Sequence, residues 1–316
     1  MEFFKKTPQI RFMARRKWCY AISLVLIVGT AALLAVRGLN FGLDFTGGVI
    51  VELDNPAEVS VQRVREALDQ AGYRVEVQGA SGGSRELIVR VPPQEGQTGQ
   101  QNPNEVANAI LETLKAVDAG FELRGSPDYV GAQVGRDLTE QGGLAMLFCF
   151  IGILIYVAFR FEWKMAAGTV IAAIHDAVGI FGFFALTQMT FDLSVLAAIL
   201  AVIGYSINDT VVVFDRVREV LHTKRKMSPS EMLDVAINQT LSRTLMTSFS
   251  TLFVVGSLYV LAGETLRGFS MAIIVGVVVG TYSSIFIAAA VALDLKLTAA
   301  DLMPQQKEKS ELDALP

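Results

Sequence analysis

Six long apolar runs dominate the chain, at residues 18–36, 144–159, 166–186, 193–214, 245–262 and 269–293. Each is near or above the ~20 residues that an α-helix needs to cross a bilayer, the shortest being extendable through Gly142 and Gly143. They predict six transmembrane helices. Lys5, Lys6, Arg11, Arg15, Arg16 and Lys17 precede the first run. Arg160 and Lys164 separate the second from the third, and the 215–243 stretch between the fourth and fifth holds Lys224, Arg225 and Lys226. The 187–192 segment has no basic residue and 263–268 only Arg267. This asymmetry puts both chain ends in the cytoplasm. The first run, at 19 residues, exceeds the ~7–15 of a cleaved signal core, and no Ala-x-Ala site closes it, so it reads as an uncleaved span.

The segment 37–141 has another texture: polar, with short alternating runs and several Gly and Pro. Residues 48–53 (GVIVEL), 73–77, 86–91 and 121–124 read as strands. Val61, Val64, Ala67, Leu68 and Ala71 fall on one helical face, as do Val106, Ala109, Ile110, Leu114 and Val117 after Pro103. The order strand, helix, strand, strand, helix, strand predicts an α+β ferredoxin-like domain on the extracytoplasmic side, between the first and second spans. Such a fold carries no function by itself. A glycine-rich turn at 79–84 and a mobile Gln/Gly/Pro loop at 92–101 complete it. The expected organisation is a cytoplasmic amino terminus (1–17), a first span (18–36), the extracytoplasmic domain (37–141), a five-helix transmembrane bundle (142–296) and a polar, disordered cytoplasmic tail (297–316).

Polar groups interrupt the apolar runs at three places. Ser206, Asn208, Asp209 and Thr210 fall within the fourth run, His175 and Asp176 near the centre of the third, and Arg243 opens the fifth ahead of Thr244, Thr247, Ser248 and Thr251. An ionisable group in a lipid-spanning helix costs several kcal/mol unless it is neutral, paired or facing water, so each is a candidate ion pathway or buried pair. Arg243, Thr247 and Thr251 recur at i, i+4 and i+8 and predict a polar stripe able to meet Asp209 from the neighbouring antiparallel helix. Two readings stand: a buried ion pair that fixes helix packing, or a proton relay in which burial and the guanidinium shift the carboxylate in opposite directions. His175 and Asp176 point about 100° apart on a helix and need not act together. Asp192, Asp215, His222 and Asp294 lie at span ends or in loops, where solvated rim roles are expected.

Composition agrees with a polytopic membrane protein: 52% hydrophobic and 18% charged residues. Net charge of −4 carries little weight, because placement of Lys and Arg matters more than their sum. Cys19 and Cys149 sit in apolar runs, where a small hydrophobic role is expected rather than a disulfide or metal site. There is no Walker loop, zinc-ligand spacing, dinucleotide fingerprint or nucleophile elbow. The expectation is a non-enzyme without cofactor or metal, drawing on a proton gradient.

The motifs FGLDFTGG (41–48), RFEWKMAAG (160–168), HD (175–176), GYSINDTVVVFDRVRE (204–219) and SRTLMTS (242–248) resemble the SecF family of bacterial protein-export membrane subunits, over nearly the whole chain. One departure is Ala132, where the family pattern has proline. The resemblance implies pairing with SecD, an accessory role at the SecYEG translocon with YajC, preprotein substrates, a bacterial inner-membrane location and no nucleic acid. It also implies membership of the resistance-nodulation-division (RND) superfamily, in which proton flow moves extracytoplasmic domains. Asp209 and Arg243 match the residues implicated in proton movement; His175, Asp176, Ser206, Asn208, Thr210 and Thr247 are possible relay or supporting groups. Two rivals stand beside this: a structural or chaperone-like subunit doing no proton work, and an RND-type exporter acting alone.

Overall fold

The computed structural model describes residues 7–55, 58–73, 75–79, 85–92, 102–223, 227–262 and 266–298. Lys5, Lys6, Lys224, Arg225 and Lys226, the 80–84 turn, most of the 92–101 loop and nearly all of the 297–316 tail lie outside these.

Among the described residues, six helical stretches are long and apolar enough to cross a membrane, in the order the apolar runs predict. Helix α1 (Arg16–Val36) follows a 3-10 turn at Met13–Arg15 and stops at Gly38, whose φ of 67° closes the helix in the left-handed region while its N–H bonds to Leu34 O. A short helix α2 (Leu43–Thr46) leads into the polar segment. Helices α5 (Ala132–Arg160), α6 (Trp163–Thr187), α7 (Leu193–Thr223), α8 (Pro229–Leu261) and α9 (Arg267–Tyr282) follow it. The last continues through a π-helical segment, Ser283–Ala288, into α10 (Ala289–Asp294).

Two expected connections are helical. The 215–243 stretch, expected as a loop, carries α7 on to Thr223 and starts α8 at Pro229. Ser228 caps α8 through a capping box with Glu231, and Pro229 stands at the first position. Residues 132–141, expected as the end of the extracytoplasmic domain, form the first turns of α5. Close approach anchors them, since a Cβ at Gly135 would lie 2.5 Å from Phe45 O.

The apolar windows of α6, α7 and the α9–α10 span are 56%, 50% and 50% buried, against 17%, 11% and 17% for α1, α5 and α8. The former three are the centre of the bundle and the latter three its rim. A Cβ on Gly168 of α6 would lie 2.4 Å from the carbonyl of Ala288, so the π segment packs backbone to backbone against α6.

The polar segment holds an antiparallel sheet of order β2-β3-β1-β4: β2 (Glu76–Gly79), β3 (Glu86–Val91), β1 (Gly48–Asp54) and β4 (Glu122–Leu123). Val49, Val51 and Leu53 of β1 stand opposite Val91, Val89 and Leu87 of β3. The period of two sends all six to one face, where α3 (Val61–Gln70) and α4 (Pro103–Lys115) cover them with Val64, Leu68, Ile110 and Leu114. The strand expected at 73–77 forms two to three residues later. An unforeseen strand, β5 (Asp128–Val130), pairs with the start of β1.

Candidate intramembrane polar site

Helix α7 turns Ser206, Asp209 and Thr210 inward, at 2%, 3% and 1% exposure, while Asn208 faces out. Ser206 Oγ donates to Asp176 Oδ2 at 2.5 Å, and the other Asp176 oxygen lies 3.4 Å from His175 Nδ1. The two neighbours on α6 therefore do touch, although their Cα–Cβ directions diverge. Thr210 Oγ1 donates to Ser284 Oγ at 3.0 Å, and Ser284 Oγ donates to Ser206 O at 3.1 Å. The π segment accounts for this reach: its wider turn presents Ser283 and Ser284 together to the interior, both buried. Gly280, one turn earlier, keeps the gap narrow, since a Cβ there would stand 3.1 Å from the Ser206 side chain and 3.4 Å from Asp176 Oδ2. The His175 ring packs 5.8 Å from that of Tyr282, whose hydroxyl donates to Cys19 O on α1 at 2.8 Å.

A second layer joins α7, α8 and α9. Tyr205 Oη donates to Ser248 Oγ, which lies 2.7 Å from Thr281 Oγ1. Helices α7 and α8 are antiparallel, so one turn further along α7 from Tyr205, Asp209 comes level with Thr244, one turn before Ser248. Asp209 Oδ2 is buried and accepts no hydrogen bond, and His175 Nε2 is likewise buried without a partner.

Asp209 and Arg243 do not form an ion pair within 4.0 Å. Arg243 is exposed on α8, near enough for its charge to act on Asp209. The stripe expected along Arg243, Thr247 and Thr251 does not reach across. The Thr247 hydroxyl bonds to Arg243 O and Thr244 O, and that of Thr251 to Thr247 O. The buried polar stripe of α8 is one residue displaced, at Thr240, Thr244 and Ser248. Sequence reading missed the Thr281–Ser284 contribution, although the polar run Gly280–Thr281–Tyr282–Ser283–Ser284 breaks its apolar segment much as Ser206–Thr210 does.

The N-terminal end of α7 is built from two segments far apart in sequence. Asp192 Oδ1 accepts from Val195 N at 2.9 Å, and Asp44 Oδ2 of α2 accepts from Leu193 N at 3.1 Å. Two carboxylates thus satisfy donors that a helix start leaves open, at its positive end. Backbone bonds Gly42 N to Phe191 O and Phe191 N to Asn40 O tie the same segments, and Thr190 Oγ1 donates to Glu76 of β2 at 2.8 Å. At the other end Asp215 pairs with Arg160, and Asp294 with Arg16 and Tyr20. Cys19 and Cys149 are free thiols. No group of three or more His, Cys, Asp or Glu with metal-binding geometry occurs among the described residues.

The sequence model for the C-terminal region of protein export membrane protein SecD/SecF matches residues 109–298, and that of the SecD/SecF GG motif matches 32–54. The chain belongs to the SecD/SecF family. It is 44% identical over 302 residues to the protein translocase subunit SecF of Pseudomonas aeruginosa, covering 95% of this chain and 96% of that one. It is 41% identical to the SecF of Vibrio alginolyticus, covering 100% and 99%. The crystal structure of SecDF from Thermus thermophilus, described as a translocon-associated membrane protein, superposes with a TM-score of 0.75 at 33% identity. This chain is 94% covered there and spans 40% of that longer one. The GG motif thus coincides with the α2–β1 segment that caps α7, and the C-terminal match takes in every inward-facing polar residue of α6 to α9. This member of the SecD/SecF family is a multi-pass membrane protein.

Proposed function

We propose that this SecD/SecF-family chain is the SecF-type accessory subunit of a Sec translocase, coupling proton entry to the handling of preproteins on the far side of a bacterial inner membrane. SecD is its partner and the SecYEG translocon, with YajC, its site of action. Both termini are cytoplasmic, and the segment of β1 to β5 is a ferredoxin-like extracytoplasmic domain; its strand order and directions support that reading. No cofactor is needed, because a membrane potential supplies ~2.3 kcal/mol per charge per 100 mV, about a 50-fold bias between two helix arrangements.

The observation that carries the proposal is the Asp209 carboxylate, buried in a lipid-spanning helix with one oxygen unpartnered and Arg243, the cation whose charge acts on it among the described residues, held apart. A pair serving packing alone would be closed. An open one leaves room for two states: ionised Asp209 drawing α8 and its guanidinium inward, and neutral Asp209 releasing them. Because Asp44 caps the far end of α7 and its short helix is followed after Gly47 by β1, whose Gly48 is packed against the Val91 carbonyl, a shift of α7 passes to the domain through this short segment. The Asp176–Ser206–Ser284–Thr210 network supports the helix around which this occurs, with Asn208 and Thr247 at its outer margin.

The test is preprotein translocation into inverted membrane vesicles with ATP, the proton gradient intact or collapsed. Asp209→Asn and Arg243→Ala lose the gradient-dependent part while the chain still inserts and co-purifies with SecD. Arg243→Lys keeps the charge without the planar fork and recovers part of it. Normal gradient dependence in Asp209→Asn would overturn the relay and leave Asp209 as a packing residue.

A further inference from the structure

At the end of the bundle where α5 passes to α6, two arginines share one aromatic ring. Phe161 follows the last residue of α5 in extended backbone, is buried, and meets Phe214 of α7 edge to face at 5.8 Å. The Arg160 guanidinium lies 5.1 Å from the centre of the Phe161 ring, and that of Arg218, one turn after Phe214 on α7, lies 4.8 Å from it. An aromatic face attracts a cation, but two like charges gathered on one ring repel each other unless something negative stands by. Asp215 closes on only one of them: both its oxygens accept from Arg160 Nη2 at 2.6 Å. Among the described residues Arg218 has neither a hydrogen bond nor a carboxylate within 4.0 Å, and none of its guanidinium nitrogens is shut off from the surface. Asp215 and the exposed Glu162 act on it only from beyond that distance.

Two exposed aromatic side chains flank this corner. Phe159 is 91% exposed near the end of α5, and Trp163 is 60% exposed at the first position of α6, with Lys164 Nζ 5.9 Å from its ring. Tryptophan beside cations at the end of a span is the pattern of the headgroup level, where apolar bodies meet acyl chains and charges meet phosphate. A soluble anion has no use for such aromatic side chains, whereas a lipid contacts both kinds of group. The headgroup must also be net negative, because Arg160, Arg218 and Lys164 repel the ammonium of a zwitterionic lipid.

We infer that this corner is a binding site for an anionic glycerophospholipid, its phosphate held by Arg218 with Arg160 behind it and its acyl chains lying along Phe159 and Trp163. Such a lipid ties α5, whose apolar window is 11% buried, to α7 at the centre of the bundle. The inference rests on the geometry of this corner and is independent of the proposed proton coupling.

The test uses the full chain with Trp18→Phe, which leaves Trp163 as its one tryptophan. It is reconstituted into vesicles of phosphatidylcholine and phosphatidylglycerol, with one or the other brominated on its acyl chains, and quenching of Trp163 by each reports which lipid lies beside it. One arginine at the membrane surface favours an anionic lipid about fivefold, so phosphatidylglycerol is preferred by at least that factor and Arg218→Gln lowers the preference by about the same. Arg218→Lys keeps the charge and most of the preference. Arg216→Gln removes an equal charge from a residue already paired with Glu219 and leaves the preference in place. Equal quenching by the two lipids, or an unchanged preference in Arg218→Gln, overturns the inference. An equal loss in Arg216→Gln overturns it too, because that marks a diffuse attraction of the surface. Inorganic phosphate, compared with sodium chloride at the same ionic strength, has no added effect; displacement beyond that of chloride would assign the corner to a soluble anion instead.

Discussion

Replacing Asp44 with alanine removes the carboxylate that accepts from Leu193 N, and so tests whether the α2–β1 segment and α7 are one mechanical unit. The bond is 3.1 Å long and closes one of the open donors at the start of α7. Loss of such a cap costs about 1 kcal/mol (range 0.5–2), and loss of a negative charge at the helix's positive end a further ~0.3–1 kcal/mol. Asp192 still holds Val195 N, and the backbone bonds between Gly42, Phe191 and Asn40 remain. The docked arrangement therefore weakens by about 1–2 kcal/mol without being abolished, a factor of roughly 5–30 in the ratio of docked to undocked states. Hydrogen–deuterium exchange of the full chain reads this directly. Peptides spanning 40–46 and 188–196 exchange 5–30-fold faster in Asp44→Ala, while β1, β3 and the centre of α6 are unchanged. Asp44→Asn keeps an acceptor but not the charge and falls between. Gradient-dependent translocation drops in the same order. Exchange within twofold of wild type in both peptides would refute the reasoning, as would acceleration confined to 40–46.

Other consequences follow from local geometry. Gly168→Ala sets a Cβ 2.4 Å from the Ala288 carbonyl, a backbone atom that cannot rotate away, and lowers stability in detergent by about 1–3 kcal/mol; Gly29→Ala, with nothing within 4 Å, leaves the melting temperature nearly unchanged. Asn238 holds the chain before α1 from both sides, accepting from Ile10 N at 3.0 Å and donating to Ile10 O at 2.8 Å. Asn238→Ala accordingly raises tryptic cleavage at Arg11, measured by mass spectrometry. The Asp118 carboxyl is held below its ordinary value, first by the Gly120 N–H and then by the Asn55 side chain. A depressed folded value means stability that is full above the unfolded pKa of about 3.9 and is lost as pH falls through the folded one. Exchange protection around residues 118–123 therefore declines on acidification below about pH 4, and declines less in Asp118→Asn.

The spans and the strands β1 and β3 were legible because their causes are local. Crossing a bilayer requires only length and apolarity, and half-burial of a strand requires only alternation. Asp209 was legible for a related reason: a carboxylate inside an apolar run is costly wherever the helix packs. The box Ser228–Pro229–Ser230–Glu231 was equally local, and it marks a helix start where a loop was expected.

Other features come from contacts between residues far apart in the chain. Apolar side chains facing lipid and facing protein look alike, so nothing in the six runs separated the central α6, α7 and α9 from the rim. The rotation of α8 was decided by packing, which turned Thr244 and Ser248 inward and left Arg243 outside, against the stripe that its own spacing suggested. Asp44 and Leu193 are 149 residues apart, and only the fold makes one the cap of the other.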